Sequence, residues 1–299
     1  MAAAAAYAYA YAQQAEPISP PMRAAPAGTL RVHYVDVGQG DATVWEMPDG
    51  SLVLYDCGPP ARDAQSNRLV RYLRDTLGRA PGSRIDALIA SHGHLDHIGG
   101  CEEVFTTYEV AEVFEAWYEG ADAPASYRRL LAEVEAEGAR VRTLADLRVG
   151  APLVPNTTLL WPQAFAPGGW DAIAESSLVV RLRHGSTTFC FQGDIEAGQE
   201  AALSGRCDVY LVGHHGSRYA SSAAWLGRMQ PQVAVASFGE NAYGHPHPEA
   251  LCRIQQAGAS LYATPRVGGV VVSSDGVDIH VERGQAETSD FCAGASYWP

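Results

Sequence analysis

Ile85-Asp86-Ala87-Leu88-Ile89-Ala90 is a short apolar run that opens directly into Ser91-His92-Gly93-His94-Leu95-Asp96-His97 and then Ile98-Gly99-Gly100. The run has the length and composition of a buried strand. Three imidazoles and a carboxylate therefore stand on a loop at a strand's C-terminal end, where open α/β folds place their chemistry. A chain that ends a buried strand in this way is constrained to build a sheet with a site along its edge. Imidazole with carboxylate is the donor pair that borderline divalent ions such as zinc and manganese favour.

The pattern recurs along the chain. The run Leu52 to Tyr55 ends in Asp56-Cys57-Gly58, and Phe189 to Phe191 ends in Gln192-Gly193-Asp194. Val209 to Val212 ends in Gly213-His214-His215-Gly216-Ser217, and Tyr243-Gly244-His245-Pro246-His247-Pro248 adds two imidazoles just before a helix. Taken singly each is ordinary, since a Gly-Asp pair after a strand is more often a turn than a ligand. Jointly they are not, because seven of the ten histidines fall in three motifs. Together they complete a coordination set that the first cluster cannot complete alone.

Further short apolar runs lie at Leu30 to Val37, Ala42 to Met47, Thr157 to Trp161, Leu178 to Leu182, Val233 to Ala236, Val270 to Ser273 and Val277 to Val281. Helical periodicity appears in Ala64 to Leu77, Tyr127 to Glu137, Ile195 to Leu203 and Glu249 to Ala257. Strand runs in two blocks with helices between them predict two packed sheets covered by helices, in one domain over residues 29–283. Apolar residues make up 47% of 299, enough for a large core. The 34 acidic and 21 basic residues, all of the latter arginine, argue against tight non-specific nucleic-acid binding. A local basic lane stays open.

Six cysteines without a CxxC pair exclude a cysteine-based zinc module; buried thiols are expected for most, and spacing assigns no disulfides. Residues 1–28 read as a low-complexity, signal-like or disordered segment followed by a Pro-rich linker. Ala10-Tyr11-Ala12 resembles a small-residue cleavage site. Export to a periplasmic or extracellular space is expected, with a cytoplasmic location the alternative. No later stretch is long and apolar enough to span a bilayer. Residues 284–299 read as an extended tail, with Phe291, Tyr297 and Trp298 as residues able to dock.

His92-x-His94-x-Asp96-His97, with Asp56 before it and Asp194 and the later histidines after it, resembles the metallo-β-lactamase superfamily. The segments Asp36-Val37-Gly38-Gln39-Gly40-Asp41-Ala42, Ser177-Leu178-Val179-Val180-Arg181-Leu182, Gly193-Asp194-Ile195-Glu196, His214-His215-Gly216-Ser217 and Tyr243 to Pro248 are similar to the hydrolase domain of ComEC-type competence proteins and their free-standing relatives. The resemblance runs in order over about residues 30 to 281. It implies an αββα sandwich with two divalent ions, zinc or manganese, on one edge. His92 and His94 would hold the first ion, Asp96 and His97 the second, and Asp194 would bridge them. His215 would complete the second site, leaving His214 to face a substrate phosphate, and Asp56 would orient a ligand.

One departure stands out. Many hydrolases of that superfamily supply a further histidine to the first ion, but His184 is the only histidine between His97 and Asp194. The corresponding stretch reads Ala174-Glu175-Ser176-Ser177, so Glu175 or a water is the expected substitute. The resemblance implies a binuclear phosphodiesterase or nuclease acting through a hydroxide shared by the two ions. Asp96 or His247 would move the proton, while His245, His247 and Ser217 would donate to phosphate oxygens and Arg218 would add a phosphate contact. Single-stranded DNA is the substrate the resemblance suggests. A small phosphodiester, a lactone or β-lactam, and a non-catalytic binding module are the alternatives.

Overall fold

Alternation along the strands decides the layering in the computed structural model, which describes residues 21–115, 125–143, 145–162 and 173–297. The signal-like residues 1–16 and Trp298 lie outside them. The first half of the chain supplies β1 (Leu30–Val35), β2 (Thr43–Glu46), β3 (Leu52–Tyr55), β4 (Arg84–Ile85), β5 (Ala87–Ala90), β6 (Glu109–Val110), β7 (Glu112–Glu115) and β8 (Arg140–Arg142). The second supplies β9 (Thr157–Trp161), β10 (Val179–His184), β11 (Thr187–Phe191), β12 (Val209–Leu211), β13 (Val233–Ala236), β14 (Ser260–Ala263), β15 (Gly269–Ser274) and β16 (Ile279–Arg283). They form one sheet in the order β16-β15-β1-β2-β3-β5-β7-β8, a second in the order β14-β13-β12-β11-β10-β9, and the small pair β4-β6.

In β3, Leu52 and Leu54 point to one core and Val53 and Tyr55 to another; β11 divides Phe189 and Phe191 from Cys190 in the same way. The middle core lies between the sheets, where Trp45, Tyr55 and Phe191 meet with ring centroids 4.5 to 6.2 Å apart. Burying each such side chain contributes about 1.5–3 kcal/mol. The outer core of the first sheet is covered by α1 (Arg68–Arg71, running on through residues 72–76) and α3 (Cys101–Thr107), with α2 (Leu95–Ile98) between β5 and α3 and with α4 (Ala125–Glu137). The second sheet is covered by α5 (Ala197–Glu200), α6 (Ala223–Met229) and α7 (Pro248–Gln256). This is the αββα sandwich.

β3, β5, β7 and β8 run parallel, as do β11 to β14. Their C-terminal ends gather along one edge, which brings Asp56, His92, Asp194 and His215 from four strands to one place.

The buried-thiol reading is corrected by the structure, in which all six cysteines pair. Cys57–Cys101, Cys190–Cys207 and Cys252–Cys292 have Cα separations of 5.2, 5.7 and 4.8 Å, within disulfide reach. Spacing could not show it because each partner lies 17 to 44 residues away and is brought close by the sheets. Residues 284–297 fold back onto the body. Cys292 is tied to α7, Phe291 is buried in the outer core, and Tyr297 packs edge-on against Phe238.

Candidate metal centre

β3 ends at Asp56, which is fully buried with a φ of 60°. That left-handed turn is tolerable for aspartate. It aims the carboxylate at the β5 loop, where Oδ1 accepts from the Ser91 amide at 2.7 Å and Oδ2 accepts from the Ser91 hydroxyl at 2.7 Å and from His97 Nδ1 at 2.8 Å. Since the Ser91 proton goes to Asp56, Ser91 Oγ accepts from His92 Nδ1 at 3.0 Å. One buried carboxylate thus sets the tautomer of two imidazoles and turns both Nε2 atoms toward the cluster.

Asp194, at the end of β11, is the shared group. Its Oδ1 lies 3.2 Å from His97 Nε2 and 3.7 Å from His215 Nε2; its Oδ2 lies 3.6 Å from both His92 Nε2 and His214 Nε2. Gly193, at a φ of 51°, permits the approach, because a β-carbon there would meet Ser177 and Ser91. His214 and His215 follow β12 with φ of 49° and 50°, two consecutive left-handed residues that splay their rings to different sides of Asp194. Such conformations persist where the surroundings enforce them. His215 Nδ1 donates to the Ser237 carbonyl at 3.0 Å, and His214 Nδ1 donates to Glu196 at 3.0 Å.

Two groups of buried ligand atoms emerge among the described residues. His92, His94 and Asp194 form one, and Asp41, His97, Asp194 and His215 form the other. Asp41 carried no assigned role in the sequence reading, although it closes the Asp36 to Asp41 segment. Gly40, at a φ of 139°, lets this loop lie directly against the Asp96 carbonyl, to which the Asp41 amide donates at 3.1 Å. The carboxylate of Asp41 is 1% exposed and 3.6 Å from His215 Nδ1. Its position at the end of a glycine-rich loop was the available signal.

A cation fits this arrangement. Both oxygens of Asp41, Oδ1 of Asp194, and Nε2 of His97 and His215 are buried without a hydrogen bond, a costly state for polar atoms that a positive ion relieves. Electrostatics divide the imidazoles. Burial opposes charge on His97 and His215, but Asp194 with Asp56 or Asp41 outweighs it and raises both well above the ordinary histidine value. Burial, reinforced by neighbouring imidazoles, lowers His92 and takes His94 to about 3. Asp194 is held well below the carboxylate range: burial would raise it, but four histidines prevail.

The remaining residues are placed around this core. Asp96, partly exposed, sets Oδ2 3.3 Å from His215 Nε2 and stays outside both groups. His245 lies beside His214 with ring centroids 5.2 Å apart, and burial and His214 lower it to about 4. His247 is turned to Arg218, whose guanidinium donates to Nε2 at 2.6 Å, and it caps α7; among the described contacts none joins it to the cluster. The Ser217 hydroxyl donates to Glu196. Glu175, expected as a substitute ligand, is exposed, and the contact found for it among the described residues is at its carbonyl, which accepts from Trp161 Nε1 at 2.6 Å. Its neighbours Ile173, Ala174 and Ser176 are buried, with Ile173 beside Gly93 of the histidine loop, while the Glu175 side chain itself is exposed.

Comparison with known proteins finds similar chains. The family model described as the metallo-β-lactamase superfamily matches residues 35–158. The chain is 26% identical over 255 residues to ComE operon protein 3 of Bacillus subtilis, covering 80% of this chain and 32% of that protein. It is 27% identical over 273 residues to Recombination protein 2 of Haemophilus influenzae, covering 89% of this chain and 31% of that one. The chain spans about a third of the length of the curated relatives it matches. Among solved structures it is similar to Tm1679, described as a metal-dependent hydrolase of the β-lactamase superfamily, with a TM-score of 0.48, 14% identity and coverage of 78% of this chain and 95% of that one.

Proposed function

Because the chain belongs to the metallo-β-lactamase superfamily, and is a metal-dependent hydrolase of it, we propose that it is a binuclear phosphodiesterase acting on single-stranded DNA. The observation that carries the binuclear reading is the division of Asp194, with Oδ1 toward His97 and His215 and Oδ2 toward His92 and His214. Asp41, His97, Asp194 and His215 would hold one ion, and His92, His94 and Asp194 the other. When bound, two divalent ions supply Lewis acidity toward a phosphoryl oxygen and make a nucleophilic water available near neutral pH.

The chain's own residues do the rest. Asp56 and Ser91 fix His97 and His92 in the ligating tautomer. His214 is raised above its ordinary value because Asp194 and Glu196 overcome its burial, which favours the form that donates to a non-bridging oxygen. His245, neutral beside it, offers a second contact to substrate. Asp96 is held ionised: burial would raise its pKa, but His215 and His97 hold it far down. Its Oδ2 lies 3.3 Å from His215 Nε2 and supports that imidazole.

Relatives named for competence and recombination support DNA over a small ester as the substrate class. Three disulfides support an oxidising compartment, hence export. The test is restoration of activity. Chelator-stripped protein reloaded with manganese or zinc should hydrolyse bis-p-nitrophenyl phosphate, and single-stranded DNA faster than duplex. Failure of both metals, or full activity in Asp194→Asn, would overturn the proposal.

A further inference from the structure

Five large apolar side chains are prominently exposed among the described residues, and three of them lie on the loops that carry His94, His214 and His245. Leu95, 48% exposed, lies between His94 and Asp96. Tyr219, 64% exposed, is two residues from Ser217, and Tyr243, 76% exposed, sits 5.9 Å from His245 between ring centroids. Exposed apolar side chains usually scatter singly over a surface. Here they collect beside groups that would contact a phosphodiester.

Tyr219 also lines a cleft of about 440 Å³ with Glu196, Arg218 and Arg253. The cleft is rigid. Arg253 donates to the carbonyls of Arg218, Ala220 and Ser221 at 2.7, 2.8 and 2.9 Å, and the Tyr219 carbonyl accepts from the Ala197 amide at 2.9 Å. Glu196, the one acid lining it, is turned to His214 and Ser217, which directs its charge away from an incoming anion. Arg218 is exposed, and the described protein partner of its guanidinium is the His247 ring.

We infer that this cleft is a subsite for a nucleotide flanking the scissile phosphate, with Tyr219 in its lining as one stacking platform, Tyr243 beside His245 as a second for the neighbouring base, and Arg218 as the phosphate contact. The inference rests on the phosphodiesterase reading and specifies its substrate: an extended single strand whose unpaired bases present flat faces. Stacking of a base on an aromatic ring is sequence-tolerant and works where net charge is unfavourable, as it is at −13. A base inside a duplex has no free face to offer.

The test uses metal-loaded full chain and a hydrolysis-resistant phosphorothioate oligothymidylate of about eight residues, with binding read from fluorescence anisotropy. Tyr219→Ala and Tyr243→Ala should each weaken binding about tenfold, the scale of one lost base stack. Tyr219→Phe should restore it, and Val277→Ala, an exposed apolar residue on the β15–β16 turn, should leave it unchanged. Wild-type affinity in both alanine variants, or equal affinity for duplex, would overturn the inference. Hydrolysis of bis-p-nitrophenyl phosphate without oligonucleotide binding would also overturn it while sparing the hydrolase reading. Oligonucleotide binding that responds to the tyrosines without any hydrolysis would do the reverse.

Discussion

Around His97 and His215 each imidazole has a second partner of its own, Asp56 for one and the Ser237 carbonyl for the other, and Asp41 supplies a further carboxylate from behind. Around His92 and His94 the support is thinner. His92 leans on Ser91 Oγ, and His94 Nδ1 is 3.0 Å from His92 Nε2, so the two rings share one hydrogen bond when no cation separates them. The first pole offers four buried ligand atoms and the second three. A closed coordination set holds an ion, whereas an open one leaves a position for water or substrate. On the proposed reading, retention falls to the first pole and turnover to the second.

The most damaging change should be at the group both poles share. Asp194→Asn is expected to lower metal-dependent turnover by about a thousandfold or more, on the scale of losing a catalytic electrostatic contact, and to lower metal content at both poles by elemental analysis. A variant that kept two ions would break the bridging assignment. Next comes Glu115, on β7 opposite Ala90 and therefore near the His92 side. Burial raises its pKa from 4.5 to about 7. The stability it contributes is full below pH 4.5 and is lost as pH rises through about 7. Glu115→Gln should therefore be more stable than wild type at pH 8 by about 3 kcal/mol and equal to it at pH 4, read from urea unfolding.

Asp56→Ala should cost about 10–100-fold in metal affinity, as removal of a histidine's orienting carboxylate does, and the loss should fall on the His97 pole. Uniform weakening at both poles would show that Ser91 transmits the effect. The smallest effect concerns protons. In the metal-free chain His97 and His215 are held protonated at neutral pH while His92 and His94 are neutral. Metal binding at the His97 pole should therefore release protons and strengthen as pH rises through neutrality. Binding at the His92 pole should change little over the same range, which indicator-dye titration can follow.

How much of this was legible in the sequence depended on whether the signal was local. The strands preceding Asp56, His92, Asp194 and His214 were readable because an apolar run ending in glycine and ligand-type residues is a short-range pattern. β7, Glu112-Val113-Phe114-Glu115, β8, Arg140-Val141-Arg142, and β14, Ser260-Leu261-Tyr262-Ala263, are not legible in the sequence, since charged or polar residues bound or interrupt these short runs and pairing with β5, β7 and β13 decides them. The disulfides depend on contacts between distant segments. Asp41 shows no role in the sequence, because only the docking of Gly40 against Asp96 reveals what that loop faces. His247 shares a motif with His245 but turns to Arg218, a consequence of capping α7 that spacing does not reveal.

The central claim is that one cluster holds two unequal sites joined by Asp194. Calorimetric titration of chelator-stripped protein with manganese or zinc addresses it directly. Two steps are expected, with His92→Ala removing the weaker and leaving the tighter intact. A single one-ion step in the wild-type chain, or loss of the tighter step in His92→Ala, would contradict it.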